Sequence, residues 1–347
     1  MNRKHFLTSL IPLGTSISPV AQLSSNKNII KEIVQENIRK IPKYLKVGDT
    51  IGITCPSGYI TSEEIQPSIL KLAEWGFKVT TGKTIGAKDF TFAGNDELRT
   101  RDMQQMLDDP DIDAILFARG GYGAVRIIDQ LDFTRFIKKP KWLIGFSDAT
   151  VFHSHLNKNF GIASIHSKMC NSFPSDWSNA EPSQVESIDS IRKCITGDKI
   201  EYTSVINENN RTGIAEGILI GGNLSILQNL AASRSDINTA GKILFIEEVE
   251  EYLYNIDRML WNLKRSGKLN KLNGLIVGGI NKIKPDDPGE EFGRTVYEIV
   301  IGVVKEYGYP VCFDFPVGHQ KNNFALKCGV KHKLVVNSNE CVLSEIR

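Results

Sequence analysis

The sequence predicts a two-domain α/β protein, and three observations support this fold class. The chain has 347 residues, enough for two domains of ordinary size, and its 41% hydrophobic and 24% charged residues are typical of a globular protein. In the first half, short apolar strands alternate with amphipathic helices, which predicts a parallel sheet covered on both faces. In the second half, strands and helices mix without clean alternation, which predicts an α+β domain.

These patterns divide the chain into four segments. Residues 1–44 form a leader and an N-terminal arm, and residues 45–169 form an α/β domain. A segment rich in Ser, Asn, Asp and Pro, residues 170–212, is interpreted as a linker that contains one helix. Residues 213–347 form the C-terminal domain.

Hydrophobic runs and turn residues place the elements of the first half in order. Apolar runs that end at Gly, Pro or polar turns predict strands, and apolar residues at helical spacing predict the helices between them. The predicted strands are 49–55, 77–80, 114–118 and 142–145, and the predicted helices are 62–75, 95–108, 124–130 and a helix from 149.

The same reasoning applied to the second half gives a less regular series. It predicts strands at 214–220, 242–246, 275–279, 311–315, 333–336 and 340–343, a turn at 221–223, and helices at 183–196 and 252–266.

The N-terminus resembles an export leader. Arg3 and Lys4 precede a modest apolar stretch and then small residues, and the segment from Arg3 to Leu7 is similar to a lysine variant of the twin-arginine signal. This pattern favours an exported or periplasmic protein, and the alternative is a disordered leader on a cytoplasmic enzyme. No later segment has the roughly 18 apolar residues needed to span a bilayer, so stable membrane insertion is not expected.

Charge and cysteine content exclude several classes of function. The net charge is +2 with the two signs interspersed, so neither nucleic acid nor an anionic membrane is an expected partner. Six cysteines occur without a C-x-x-C pair, which argues against a zinc site or a redox motif and favours buried small hydrophobes. No metal or organic cofactor is expected.

Two strand ends in the first half have the residues of a catalytic site. Ser147 lies between a strand and a helix, where a sharp turn would expose its hydroxyl and aim the next N–H at an oxyanion. A helix-capping role for Ser147 or Asp148 is the alternative. The glycine loop 119–123 can crowd N–H groups around an anion, and its alternative is a simple tight turn. It lacks the Lys and Ser/Thr of a phosphate loop.

A hydroxyl nucleophile needs a base, and the base needs a carboxylate that orients it. Among the six histidines, His5 lies in the leader, and His332 lies between lysines and is interpreted as a surface residue. His153 and His155 lie two apart on a helix and face different ways. His166 and His319 remain. Glu247 ends a predicted strand, where a buried carboxylate would be costly without a partner.

Six collinear motifs resemble the serine LD-carboxypeptidases, also called muramoyl-tetrapeptide carboxypeptidases. The resemblance runs from about residue 48 to 345 and includes relatives that confer immunity to microcin C. The motifs are ARGGYG (118–123), IGFSDAT (144–150), EGILIGGNLSIL (216–227), ILFIEEV (243–249), NIDRMLW (255–261) and FPVGHQKN (315–322).

The resemblance implies a role for several residues. Ser147 would be the nucleophile, His319 the base and Glu247 the carboxylate that orients it, and the N–H groups of Gly121 and Asp148 would form the oxyanion hole. It also implies an active site in the groove between two domains, a homodimer, and removal of a terminal D-alanine from peptidoglycan tetrapeptides.

Substrate recognition is less defined. Arg119, which precedes the glycine loop, is a candidate for the terminal carboxylate, with a structural role in the loop as the alternative. The family often has His-Gly-Pro where this chain has His166-Ser167-Lys168, so Lys168 is expected to alter the substrate groove. The alternative functions are a microcin-C-type hydrolase of peptide–nucleotide amides, with Trp177 as a stacking partner, and a non-catalytic muropeptide-binding protein.

Overall fold

The computed structural model describes residues 39–346 of the chain. The predicted leader lies outside the described residues, so export stays a prediction. Within the described part, the Lys40 N–H donates to the carbonyl of Gly161 at 2.9 Å and the Trp142 indole donates to the carbonyl of Lys43 at 3.1 Å. The arm that precedes Leu45 is therefore attached to the first domain.

The first sheet has six strands, and five of them are parallel. These strands are β1 (Thr50–Thr54), β2 (Lys78–Thr81), β3 (Ala114–Phe117), β4 (Trp142–Gly145), β5 (Ser164–His166) and the antiparallel β11 (Leu326–Cys328), in the order β11-β5-β4-β3-β1-β2. The helices of this half are α1 (Gln66–Glu74), α2 (Asp96–Asp108), α3 (Ala124–Ile127), α4 (Thr134–Lys138) and α5 (Thr150–Phe160). The strand β11 comes from the C-terminal half, so the two halves share this sheet.

The second sheet has seven strands and is mixed, with both parallel and antiparallel pairs. Its strands are β6 (Glu201–Ser204), β7 (Gly213–Asn223), β8 (Ile243–Val249), β9 (Gly274–Asn281), β10 (Val311–Cys312), β12 (Lys331–Val336) and β13 (Cys341–Glu345), in the order β10-β9-β8-β7-β12-β13-β6. The remaining helices are α6 (Pro182–Thr196), α7 (Leu224–Asn229), α8 (Leu253–Arg265) and α9 (Val296–Val304). Strands β7 to β10 are parallel with helices between them, so this half alternates more regularly than its sequence indicated.

Two local predictions were wrong. Residues 221–223 do not form a turn, because β7 continues through them and pairs with β8 as far as Glu247. His332 is not a surface residue but is fully buried in β12. Its flanking lysines lie on the outer face of the strand, and because side chains alternate along a strand, the residue between them faces inward.

Buried apolar side chains from both sheets form the core, and the cysteines belong to it. All six cysteines are buried and none forms a disulfide. Over residues 39–346, no helix is long and apolar enough to cross a membrane. The same residues contain no group of three or more His, Cys, Asp or Glu side chains placed to hold a metal ion.

Candidate active site

Ser147 lies on a strained turn at the carboxyl end of β4. Its φ of +61° is in the left-handed region, which costs a residue with a side chain roughly 1–2 kcal/mol. The next residues form a short 3-10 helix, 147–149, that leads into α5. A strained serine between a strand and a helix has the geometry of a nucleophile elbow.

Small residues around Ser147 make this elbow possible. A Cβ atom on Gly145 would lie 3.1 Å from both the Cβ of Ala149 and the ring of Phe117. A Cβ atom on Gly120 would lie 3.2 Å from the Ser147 Oγ. The backbone of Gly120 therefore packs against the Ser147 side chain, and that of Gly145 against Ala149 and Phe117, which a larger residue at position 120 or 145 would prevent.

The side chain of Asp148 fastens the elbow to the glycine loop. Its Oδ2 accepts hydrogen bonds from the Ser57 hydroxyl at 2.5 Å and from the Ala124 N–H at 2.8 Å. Burial raises the pKa of this carboxyl above its ordinary value, although these hydrogen bonds act in the opposite direction. The Asp148 side chain caps neither helix that follows Ser147, so the capping interpretation was wrong for this residue.

The N–H groups assigned to the oxyanion hole are on the two segments that Asp148 joins. Gly121 has a φ of +105°, a conformation that residues with side chains rarely adopt. Among residues 39–346, its N–H donates to no other group. The N–H of Asp148 lies in the first turn of a helix, where backbone donors have no acceptor within the helix.

Arg99 also holds the glycine loop, and sequence reasoning missed it. The side chain is fully buried, and its Nη1 donates to the carbonyls of Pro56 at 2.7 Å and Gly123 at 3.0 Å. Burial lowers the pKa of this guanidinium, while Asp96 acts against that shift. A lone arginine on a predicted helix gives no sequence signal for this role, because the loops it joins are distant in the chain.

Glu247 and His319 form a hydrogen-bonded pair at the carboxyl end of β8. The His319 Nδ1 lies 2.6 Å from the Glu247 Oε2, and the His319 backbone N–H donates to the same oxygen at 3.2 Å. Glu247 is fully buried, whereas the His319 side chain is 20% exposed. A buried carboxylate thus fixes both the position and the tautomer of an accessible imidazole.

A close backbone approach before His319 makes this pair possible. Gly318 has a φ of +98°, and a Cβ atom there would lie 2.4 Å from the Cβ of Glu247. Only glycine satisfies both conditions, which explains the Gly-His sequence. The Asn281 amide also donates to the His319 carbonyl at 2.9 Å, so β9 supports the loop from its other side.

The environment of Glu247 keeps its carboxyl ionised. Burial raises the pKa, but the interactions with His166 and His319 outweigh burial and lower the pKa from 4.5 to about 2. The His166 Nε2 lies 3.9 Å from the Glu247 Oε1, which is too long for a hydrogen bond. A carboxylate that stays charged at neutral pH can stabilise a positive imidazole beside it.

The structure brings the elbow and the histidine loop together. The ring of Phe146 packs on the imidazole of His319 with centroids 4.9 Å apart. The Lys168 Nζ donates to the carbonyl of Gln320 at 2.7 Å, which joins the end of β5 to the residue after His319. Across residues 39–346, no hydrogen bond joins the Ser147 Oγ to His319, and such contacts in unliganded enzymes are often looser than in the working complex.

The two residues expected to bind substrate have structural contacts. Arg119 is exposed, and its Nη1 donates to the carbonyl of Tyr59 at 2.9 Å. Lys168 is half-buried, and burial lowers the pKa of its ammonium group. Trp177 packs against Phe173, and the ammonium of Lys71 lies 4.0 Å from the centre of its ring.

A cavity of about 680 Å³ lies beside the elbow, between the two halves of the chain. Asp148, which follows the serine, and Tyr122 of the glycine loop line one side of it, while Glu251 and Arg258 belong to the other side. Ser147, Glu247 and His319 do not line it, so the cavity adjoins these candidate catalytic residues rather than containing them.

These features define a class of protein. A strained serine ends a parallel strand, and a histidine held by a buried carboxylate lies next to the elbow, as is typical of serine hydrolases with an α/β fold. The comparisons with known proteins agree. The protein-family model for the LD-carboxypeptidase N-terminal domain matches residues 51–167. The family model for the LD-carboxypeptidase C-terminal domain matches residues 216–334.

Individual relatives cover most of the chain. A probable murein peptide carboxypeptidase of Bacillus subtilis is 32% identical over 292 residues, which are 84% of this chain and 90% of the relative. The microcin C7 self-immunity protein of Escherichia coli is 25% identical over 334 residues, which cover 87% of this chain and 94% of that protein. The crystal structure of a muramoyltetrapeptide carboxypeptidase from Oxalobacter formigenes matches with a TM-score of 0.75 and 28% sequence identity. The match covers 86% of this chain and 99% of that structure.

The chain belongs to the LD-carboxypeptidase family, and it is a serine-type carboxypeptidase. The family resemblance and the two-domain α/β fold predicted from the sequence are confirmed. The roles of individual residues stay predictions.

Proposed function

We propose that this enzyme removes the terminal D-alanine from peptidoglycan tetrapeptides by covalent serine catalysis. The observation that carries the proposal is the His319–Glu247 pair, 2.6 Å apart, beside the strained elbow of Ser147. The family and the murein peptide carboxypeptidase among its relatives support this substrate class.

The first half of the reaction forms an acyl-enzyme. The Ser147 Oγ attacks the carbonyl carbon of the amide between the L-centre of the third residue and the D-alanine, while His319 takes the hydroxyl proton. Glu247 holds the imidazole and stabilises its positive form. The N–H groups of Gly121 and Asp148 bind the oxyanion. His319 then returns the proton to the leaving nitrogen, and the C–N bond breaks to release D-alanine.

The second half reverses these roles with water. His319 takes a proton from a water molecule, and the oxygen of that water attacks the acyl carbon. The C–O bond to Ser147 breaks, and the proton passes to the Ser147 Oγ. The cavity beside the elbow would hold the part of the peptide that precedes the cleaved bond, because amide and charged side chains suited to a polar peptide line it.

The decisive experiment combines product release with labelling of the nucleophile. Purified enzyme is given defined tetrapeptides with diaminopimelate or lysine at the third position, and free D-alanine is measured. We expect release by the wild type and by the control Ser178→Ala, an exposed serine far along the chain from the elbow. Ser147→Ala should lose turnover and labelling by a fluorophosphonate probe while its unfolding temperature is retained.

The same assay separates the alternatives. Near-normal D-alanine release by Ser147→Ala would refute serine catalysis. Binding of muropeptides without release by the wild type would indicate a binding protein. The similarity to the microcin C7 self-immunity protein makes hydrolysis of a peptide–nucleotide amide the second candidate. Cleavage of the peptide–nucleotide amide alone would favour this second function. The ring of Trp177, the candidate stacking partner for the base, already contacts Lys71 and Phe173.

We also propose that the enzyme is a homodimer, as the family resemblance implies. Sedimentation at micromolar concentration tests this directly, and a monomeric mass across the concentration range would contradict it.

A further inference from the structure

The Glu247 carboxylate is only half satisfied by His319. Its Oε2 accepts both hydrogen bonds from that residue, at 2.6 and 3.2 Å. Its Oε1 is buried and has no hydrogen-bond donor among residues 39–346. Leaving a buried acceptor without a donor is unfavourable, and more so when the acceptor is charged. A hydrogen-bond donor to the Oε1 of Glu247 would therefore stabilise this buried carboxylate.

His166 is a buried residue without hydrogen-bond partners next to that oxygen. It ends β5, is fully buried, and neither ring nitrogen has a partner within the described part of the chain. Its Nε2 lies 3.9 Å from the Glu247 Oε1. The rings of Phe146 and Phe245 enclose it edge-on, with centroids 5.9 and 5.0 Å away. An imidazole Nε2–H can donate one hydrogen bond, and the carboxylate is the charged acceptor beside it.

We propose that His166 is a positioning residue whose Nε2–H donates to the Glu247 Oε1 in the working enzyme. The inference rests on the proposed function, in which Glu247 orients His319. Closing the present gap requires a movement of about 1 Å to reach ordinary hydrogen-bond length. The carboxylate would then be held from both sides, by His319 on one oxygen and by His166 on the other.

Other titratable groups near His166 do not replace Glu247. His153 lies 6.2 Å away by ring centroids, but its nitrogens already contact Ser164 and the carbonyl of Gly145, both at 2.8 Å. Burial lowers the pKa of His153 to about 3, so it stays neutral. The Cys328 thiol of β11 approaches the His166 backbone, and burial raises its pKa to about 12. Glu247 is therefore the charged group that His166 faces across the two sheets.

The proposal predicts a change in the pH profile. A donor on Oε1 withdraws charge from the carboxylate and makes it less basic toward the His319 proton. Without that donor, the Glu247 carboxylate keeps more negative charge and holds the imidazolium form of His319 more tightly. We expect the acid limb of kcat/KM to move up by roughly one pH unit and kcat to fall by roughly tenfold, the effect of one hydrogen bond to a charged group.

The test compares two substitutions of His166. His166→Phe fills the space without a donor and should show the tenfold loss and the shifted acid limb. His166→Gln keeps an N–H donor and should retain kcat/KM within about threefold, the margin that one ordinary hydrogen bond spans. The control is His332→Phe, since His332 is equally buried and also has a ring nitrogen without a partner, but lies in the second sheet. The His332→Phe enzyme should lose stability but keep the wild-type kcat and the wild-type acid limb of kcat/KM.

The outcomes separate this inference from the proposed function. A folded His166→Phe enzyme with an unmoved acid limb and a normal kcat would overturn the positioning role. A loss of stability in His166→Phe with an unmoved limb would also overturn it, because packing alone would then explain the residue. If Ser147→Ala keeps its activity, the proposed function itself fails, whatever the His166 variants show.

Discussion

Replacing Glu247 with glutamine is the sharpest perturbation of the proposed site. The substitution keeps the shape of the side chain but removes the charge that faces the His319 Nδ1 at 2.6 Å. When His319 accepts the serine proton, two unit charges about 4 Å apart attract by about 4 kcal/mol at an effective dielectric constant of about 20. The pKa of Glu247 agrees in direction, because burial raises it and the two neighbouring histidines nevertheless lower it from 4.5 to about 2.

We therefore expect Glu247→Gln to lower kcat/KM by about 10² to 10³, since each 1.36 kcal/mol is a factor of about ten. The assay is D-alanine release from a defined tetrapeptide at neutral pH, with the unfolding temperature measured in parallel. Glu248→Gln is the matched control. It is also a buried carboxylate, but it bonds to the Asn223 amide at 2.9 Å and to the Ser225 N–H at 2.7 Å instead of His319.

The reasoning would be refuted if the kcat/KM of Glu247→Gln and that of Glu248→Gln both stayed within about tenfold of the wild-type value. Loss of folding in Glu247→Gln would be visible as a lowered unfolding temperature. In that case Glu247→Asp, which keeps the charge but shortens the side chain, gives a second measurement. It should be more active than the glutamine variant if charge is what matters.

Three further results are expected. If the Arg119 guanidinium binds the terminal carboxylate, Arg119→Lys should lower kcat/KM far more for substrates with a free C-terminus than for their amidated forms, because lysine lacks the bidentate geometry. Equal losses in kcat/KM for the two kinds of substrate would mean that Arg119 only shapes the loop. Lys168→Met should lower kcat/KM about tenfold on both substrates, since it removes one charged hydrogen bond that holds the histidine loop; a loss confined to free C-termini would instead make Lys168 a substrate contact. In acid, the lowered pKa of Glu247 contributes stability that is complete above about 4.5 and is lost as the pH falls toward about 2; unfolding curves of Glu247→Gln should lack this component.

Sequence reasoning could predict candidate residues for the site because the signals for each of them are local. The Ser147 elbow follows from a strand, a glycine and a small residue within a few positions, and the Gly-His pair follows from one close approach to β8. Motif resemblance was needed to connect them, because the segments are more than 70 residues apart. The structure adds the geometry of the His319–Glu247 contact.

What the sequence could not predict depends on contacts between elements that are distant in the chain. The sequence offers His166 as one of two candidate histidines, and only the approach of β5 to β8 shows that it faces Glu247. His332 was misassigned because its flanking lysines were considered apart from the alternation of a strand. Gly222 was interpreted as part of a turn, whereas its lack of a side chain lets β7 pass close to Thr150.

The candidate site is distributed over both halves, and this has a consequence for how activity responds to mutation. The elbow of Ser147 belongs to the first sheet, whereas Glu247 and His319 extend from strands and loops of the second. Direct bonds connect them: the Asn223 N–H donates to the Thr150 hydroxyl at 3.1 Å, and Lys168 bonds to the loop that carries His319. Buried apolar side chains of both sheets pack in one core cluster, so the halves do not move as separate units, but a local displacement at these connections would separate the proposed nucleophile from the proposed base. Substitutions at these connections should therefore reduce kcat before they reduce stability, because about 1 Å of misplacement can cost 10²-fold in rate.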